Sequence, residues 1–335
     1  MPELLRFDAY MDEVLYGASG FYERGGHPGA RDGDFATSVE LGSLFGRCVA
    51  IYLDRTWVEM GCPDPFVVIE GGAGRGTLCR DVLGALEDCR DAVRYVMVER
   101  TEAQRQTALG IAGEATVLAD LPAGPLVGVV VANELLDNLP FRLLERSEAG
   151  WDEVHVELGG QQATEVREPA PVDASAMAST LAPDAPVSSR MPLQLRASVW
   201  VRRALGLLEA GRVLIFDYGT RTTAQLAARP QTEWLRTYRS QRRAQSPLDA
   251  PGTADITCEV AFDQLPAGAK MSPQADWLGA HGIESMTAGA RALWQGSRAN
   301  PTAETFAARA LLDEAEALVD PRSFGAFWAA EWCTG

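Results

Sequence analysis

The sequence predicts an α/β fold with a parallel sheet, on three observations. Short β-branched runs alternate with helical patterns through the first half of the chain. The first of these runs ends on a carboxylate and an alternating glycine turn, Glu70-Gly71-Gly72-Ala73-Gly74-Arg75-Gly76. The run Leu126–Asn133 is apolar without alternation, as a strand buried on both faces requires.

Phe66–Glu70 reads as the first strand, Thr77–Leu86 as its helix and Tyr95–Glu99 as the second strand. Thr101–Leu109 is the next helix, Ala115–Leu118 the third strand and Leu126–Asn133 the fourth. Two alternating segments flank Glu148-Ala149-Gly150, so Arg142–Leu158 is expected to be a hairpin. From Gly159 to Ser189 the chain turns to Ala, Pro, Ser and Gln with little periodicity, which reads as a flexible surface insert. Pro192–Ala210 has an amphipathic helical pattern, and Arg212–Asp217 is a further buried strand. The tract Arg221–Pro251 holds six arginines against two acids; it reads as a solvated loop, with a lid or docking element as the alternative. Ahead of the first strand, Pro2–Tyr16 is expected to be helical and Gly17 to Asp34 a glycine-rich loop. Thr37 or Ser38 then suits the N-cap of another helix, with Glu40 in its first turn.

The formal charge of −16 argues against nucleic acid, since phosphate binding needs clustered Lys and Arg. The longest apolar stretch is strand length, so no membrane span or membrane partner is expected. Cys48, Cys62, Cys79, Cys89, Cys258 and Cys333 form no C-x-x-C pair, and His27, His155 and His281 are scattered, so no metal site is expected. The cysteines read as reduced thiols of a cytoplasmic protein, and the first residues lack a signal-peptide pattern. The oligomeric state stays open, with a homodimer allowed.

The glycines fall as Gly72-x-Gly74-x-Gly76, unlike the G-x-G-x-x-G of dinucleotide turns, and Glu70 precedes them at the strand tip. A carboxylate there repels a pyrophosphate and suits a cationic, zwitterionic ligand such as S-adenosyl-L-methionine. Glu99 closes the second strand, placed to accept ribose hydroxyls; its structural alternative is a helix N-terminal acid. Asp120 and Leu121 are placed to border an adenine, although a turn acid before Pro122 explains Asp120 equally well. Asn133-Glu134-Leu135-Leu136-Asp137-Asn138-Leu139-Pro140 puts Asn133, Glu134 and Asp137 at the tip of the fourth strand. If a helical turn starts at Glu134, then Glu134 and Asp137 share a face and ask for a cation between them. A guanidinium fits, each contact worth about 4 kcal/mol before desolvation. No histidine lies at a strand tip, which disfavours methyl transfer to oxygen.

With these residues in place, the chain resembles the MidA-like methyltransferases, relatives of a mitochondrial arginine methyltransferase of complex I assembly. The matching segments are Gly33-Asp34-Phe35-Ala36-Thr37-Ser38, the turn from Glu70 through Thr77, Val98-Glu99-Arg100 and Asn133–Pro140. Asp217-Tyr218-Gly219, Leu235-Arg236-Thr237-Tyr238 and Gly252–Thr257 follow in order. The resemblance implies a class I methyltransferase Rossmann-like sheet with an N-terminal helical cap and a large insertion before the last strands. It divides the chain into a cap (1–60), a core (61–158 and 191–220), a flexible insert (159–190), a substrate-side insertion with the last strands (221–283) and a C-terminal helical region with a closing strand (284–335). It implies S-adenosyl-L-methionine as cofactor, places Asp34, Phe35 and Ser38 against it, and puts Glu134 and Asp137 near the acceptor. Two departures fall on the acceptor side: Ala36 stands where the family usually has an aromatic, and Arg239-Ser240-Gln241-Arg242 lacks the family's histidine. The acceptor expected is an arginine in a protein; a small-molecule acceptor and a non-catalytic assembly role are the alternatives.

Overall fold

Leu126–Asn133 forms the strand expected of it, with Val129, Val130, Val131 and Ala132 fully buried. Burial of each valine contributes roughly 2 kcal/mol, which makes this strand the axis of the molecule. The computed structural model describes residues 3–26, 37–113, 115–159, 162–239, 242–243, 246–297 and 302–335.

Seven strands make the central sheet: β1 (Phe66–Gly71), β2 (Val93–Val98), β3 (Thr116–Leu118), β4 (Leu126–Asn133), β5 (Leu208–Asp217), β6 (Lys270–Pro273) and β7 (Trp328–Thr334). Their order is β3-β2-β1-β4-β5-β7-β6. Strands β1 to β5 run parallel, and β7 runs antiparallel to its neighbours β5 and β6. The order reverses between β1 and β4, so the loops after these two strands open a crevice at the carboxyl end of the sheet.

The helices that pack around the sheets include α1 (Phe7–Tyr16), α2 (Leu44–Glu59), α3 (Thr77–Ala85), α4 (Glu102–Ala112), α5 (Val172–Leu181), α6 (Leu195–Leu207) and α7 (Gln274–Ala280). Helices α2, α3 and α7 cover one face of the central sheet, where Phe216 meets Phe45 and Trp277 edge-on at 4.9 and 4.7 Å. Helix α6 covers the other face through Ala197, Val201 and Ala204.

The insert expected to be flexible is ordered where described. Gln162–Pro169 pairs antiparallel with Gly150–Gly159, and α5 packs on the sheet they form. Gly150–Gly159 also pairs with Arg142–Ser147 and, further along, with Glu3–Arg6; Arg190–Leu193 adds the outer strand. The expected hairpin at Arg142–Leu158 therefore exists, but it belongs to this second sheet and not to the core. Pro2–Tyr16 is likewise corrected: Glu3–Arg6 is a strand of that sheet and only Phe7–Tyr16 is helical. The N-terminal unit divides accordingly, since α1 packs with the second sheet and α2 with the central one. In the arginine-rich tract, short helices at Thr223–Ala227 and Gln231–Trp234 lead into the strand Leu235–Arg239, which pairs with Asp255–Cys258, so this stretch is not a solvated loop.

One ion pair inside the second sheet has a measurable consequence. Arg142 Nε and Nη2 reach Glu153 Oε1 and Oε2 at 2.6 and 2.8 Å, both side chains nearly out of solvent. Arg142→Met is expected to cost about 3–5 kcal/mol, because it strands a buried carboxylate. Thermal denaturation checks this, and an unchanged melting temperature contradicts it.

Candidate active site

The carboxyl ends of β1, β2, β4 and β5 surround one cavity of about 1080 Å³. Its floor begins at the glycine turn. Gly72, Gly74 and Gly76 all take positive φ, at 68°, 52° and 84°. At Gly72 the positive φ favours glycine, and a Cβ would stand 2.9 Å from Leu135 Cδ1 in the loop after β4, so that side chain would have to shift. Gly72, Gly74 and Thr77, which the sequence assigns to the cofactor, line the cavity. Gly76 does not: it is the N-cap residue of α3, and a Cβ on it would lie 3.3 Å from Ala108 Cα of α4.

Glu70 ends the strand buried, with the Tyr95 hydroxyl donating to its Oε2 at 2.7 Å. Burial pushes its carboxyl up to about 8, opposed by Tyr95 and the Cys79 backbone, which favour the charged form. Glu99 performs two tasks at once. Its Oε2 accepts the Gly74 N–H at 3.1 Å, and its Oε1 accepts the Thr101 N–H at 2.9 Å and the Thr101 hydroxyl at 3.1 Å. It thus braces the glycine turn and holds Thr101, the residue before α4, while lining the cavity. Asp120 lines the cavity rim, with Oδ2 2.8 Å from Arg203 Nη2. Leu121 departs from expectation. It packs into the core under α6 with Val98 and Val130, because the chain turns inward after Asp120.

The loop after β4 is under strain. Glu134, a non-glycine residue, has φ 49°, held there by its own N–H to Phe216 O at 2.8 Å. Its Oε1 accepts the Ser38 N–H at 2.8 Å and Asn133 Nδ2 at 3.1 Å. The expected helical turn from Glu134 is replaced by a single 3-10 turn at Leu136–Asn138, with Glu134 outside it. Asp217 at the end of β5 sets this turn: its Oδ2 accepts the N–H groups of Leu136 and Asp137 at 2.9 and 3.2 Å. The Tyr218 hydroxyl donates to Asp137 Oδ2 at 2.8 Å. Burial first, and neighbouring carboxylates second, raise Asp137 and Asp217 well above the usual range. Burial also pushes Glu134 up to about 7, against the Ser38 backbone and Asn133.

Asn133 Oδ1 and Asp137 Oδ1, on residues that line this space, are buried and have no hydrogen-bond partner among the described residues. Buried acceptors left open are rare in native proteins, and both demand a donor. Among the described residues there is no group of side chains able to hold a metal ion.

Ser38 is corrected as well. It is fully buried behind the cavity wall and does not line it; its backbone holds Glu134. Neither Thr37 nor Ser38 caps a full helix, since only a 3-10 turn at Ser38–Glu40 follows and Thr37 makes no side-chain cap bond. Thr77 Oγ1 ties that turn to α3 by donating to Glu40 Oε1 at 2.9 Å. Asp34 and Phe35 lie outside the described residues. Sequence reasoning assigns no role to Tyr16, Tyr22, Tyr218 or Asp255, all of which line the cavity. Tyr218 carries a usable signal, because it follows the end of the strand beside β4.

This sheet order with a cleft at the β1–β4 reversal defines a Rossmann-like fold of the class I methyltransferase kind. The family model described as "Putative S-adenosyl-L-methionine-dependent methyltransferase" matches residues 48–281, and the chain belongs to that family. A Burkholderia thailandensis protein crystallised with S-adenosyl-homocysteine superposes with a TM-score of 0.81 at 25% identity, covering 98% of this chain and 88% of that one. The Drosophila melanogaster protein named mitochondrial protein arginine methyltransferase NDUFAF7 homolog is 30% identical over 76% of this chain and 64% of its own length. The Homo sapiens protein arginine methyltransferase NDUFAF7 is 28% identical over 76% of this chain and 63% of its own. The chain thus spans less than two thirds of the length of these relatives.

The residues present fit S-adenosyl-L-methionine. Glu70 and the open Asn133 Oδ1 offer acceptors to an ammonium group. Glu99 keeps lone pairs for ribose hydroxyls beside its backbone donors. Ala119 and Asp120 also line the cavity.

Proposed function

We propose that this protein transfers a methyl group from S-adenosyl-L-methionine to a guanidinium nitrogen of an arginine in another protein. The observation that carries this is Asp137: buried, on a turn fixed by Asp217 and Tyr218, with Oδ1 unbonded among the described residues, beside Glu134. Guanidinium is planar and offers five donors, which suits carboxylate atoms that lack one. The relatives named protein arginine methyltransferases support the same acceptor.

When bound, the cofactor supplies an electrophilic methyl on a sulfonium. Asp137 and Glu134 orient the guanidinium so that one nitrogen faces that methyl, and proximity provides most of the rate. The nitrogen that gains the methyl gives one proton to a carboxylate, so the product keeps a single positive charge. The half-buried rings of Tyr16, Tyr22 and Tyr218 line the cavity and limit the water that reaches the exchange. Isothermal titration tests the donor half of this reading: S-adenosyl-homocysteine is expected to bind, and absence of binding overturns it.

The pH dependence follows from Glu134. Its folded carboxyl lies near 7, above an unperturbed glutamate, so the charged form that attracts guanidinium is lost as pH falls below that value. Arginine stays charged throughout. Accordingly kcat/KM is expected to fall as pH drops through about 7, with the raised Asp137 adding to the fall. Glu134→Gln should shift that profile, since Glu134 is also one of the causes that raise Asp137, and a pH–rate profile checks it.

A small-molecule acceptor is the second reading. What favours it is that both departures from the family pattern, Ala36 and the missing histidine near Ser240, fall on acceptor-side segments. A cytoplasmic, reducing setting belongs to the same proposal, and the six free thiols support it.

A further inference from the structure

The turn that carries Asp137 is held from a third side, by groups with no part in the transfer chemistry. Asn138 is buried, and its amide is fully engaged. Its Nδ2 donates to Asp255 Oδ1 at 2.7 Å and to Ile256 O at 3.1 Å, which ties the turn to the strand Asp255–Cys258. Its Oδ1 accepts the hydroxyl of Tyr16, the last residue of α1. Burial, with Asp255 and Glu99 nearby, raises the Tyr16 phenol well above its usual value, so this hydroxyl is a permanent donor at neutral pH.

The Tyr16 ring also faces the other half of the cavity. The guanidinium of Arg100 lies 4.3 Å from its centroid, and the Tyr22 ring stacks on it at 5.4 Å with 16° between planes. Arg100 is the residue after Glu99 and pairs with Asp12 of α1 at 2.6 Å. Contacts therefore run without a gap from Glu99, which braces the glycine turn, through Arg100 and Tyr16 to Asn138, the neighbour of Asp137.

Resting on the arginine-transfer reading, we propose that Tyr16 is a positioning residue: its hydroxyl sets Asn138, and through it the register of Asp137 against the donor half of the cavity. Plain packing of α1 is the competing explanation, since Tyr10, Met11, Val14 and Leu15 of α1 are core residues. The two differ in what the hydroxyl does. Tyr16→Phe keeps the ring, the Tyr22 stack and the Arg100 contact, and removes only the donor to a buried amide oxygen.

The experiment is steady-state kinetics with an arginine peptide, beside titration with S-adenosyl-homocysteine and thermal denaturation. Tyr16→Phe is expected to raise the acceptor KM by about tenfold, the scale of one lost buried hydrogen bond, with donor affinity within about twofold. In an Asn138→Ala background the same change is expected to add little, because the pair acts as one unit. Arg100→Met should reproduce the acceptor effect in weaker form, which keeps the test decisive if Asn138→Ala fails to fold. An acceptor KM unchanged by Tyr16→Phe, or donor and acceptor affinities falling by the same factor, overturns the positioning role while the arginine reading stands. Wild-type protein that binds S-adenosyl-homocysteine yet methylates no arginine peptide overturns that reading, and this inference with it.

Discussion

Asp137→Asn is expected to lower kcat/KM for an arginine peptide by about a thousandfold, with S-adenosyl-homocysteine affinity unchanged. The substitution keeps the shape and an oxygen for the Tyr218 hydroxyl, which now donates to Oδ2 at 2.8 Å. It removes the charge, and if the amide NH2 takes the place of the open Oδ1 it points donors at donors. Loss of one charged partner from a buried pair costs about 2–5 kcal/mol, and a thousandfold sits within that range. The Asp137 charge is one of the causes that raise Asp217, after burial, so its removal moves the Asp217 carboxyl back toward the usual range. Steady-state release of S-adenosyl-homocysteine measures this, and a loss under about tenfold contradicts an acceptor-binding role.

Glu99→Ala is expected to weaken S-adenosyl-homocysteine by about a hundredfold, the sum of charge-assisted bonds to ribose and the loss of the Gly74 brace. The Gly74 N–H at 3.1 Å and the Thr101 N–H at 2.9 Å lose their acceptor together, so the glycine turn also loosens. Glu99→Gln separates the two contributions. It retains an oxygen for one backbone donor, so its smaller loss reports the charge together with the other backbone bond. Titration calorimetry gives both numbers.

How much the sequence discloses depends on whether a feature is local. Leu126–Asn133 reads correctly to the residue because a doubly buried strand must be apolar throughout. The glycine turn reads as a ligand loop because three positive-φ positions leave little choice of residue. The strand Gln162–Pro169 does not read, since it lies along the outer side of Gly150–Gly159 and carries little apolar alternation of its own. Tyr16 and Asp255 reach Asn138 across 122 and 117 residues of chain, and no local pattern encodes such a meeting. Ser38 misleads in a different way. Its capping signal is real chemistry, but the backbone N–H beside it goes to Glu134, so tertiary contact overrides the local preference. The left-handed Glu134 is the clearest case. No glycine or asparagine advertises it, and only the surrounding bonds show why the strain is kept.

Methyl transfer to arginine is tested most directly by supplying trideuteromethyl-labelled S-adenosyl-L-methionine and purified protein to a lysate from cells lacking it, then locating the label by mass spectrometry. Label is expected on guanidino nitrogens of arginine in a small set of proteins, and none with Asp137→Asn. Label found only on small molecules, or on protein residues other than arginine, would contradict that transfer.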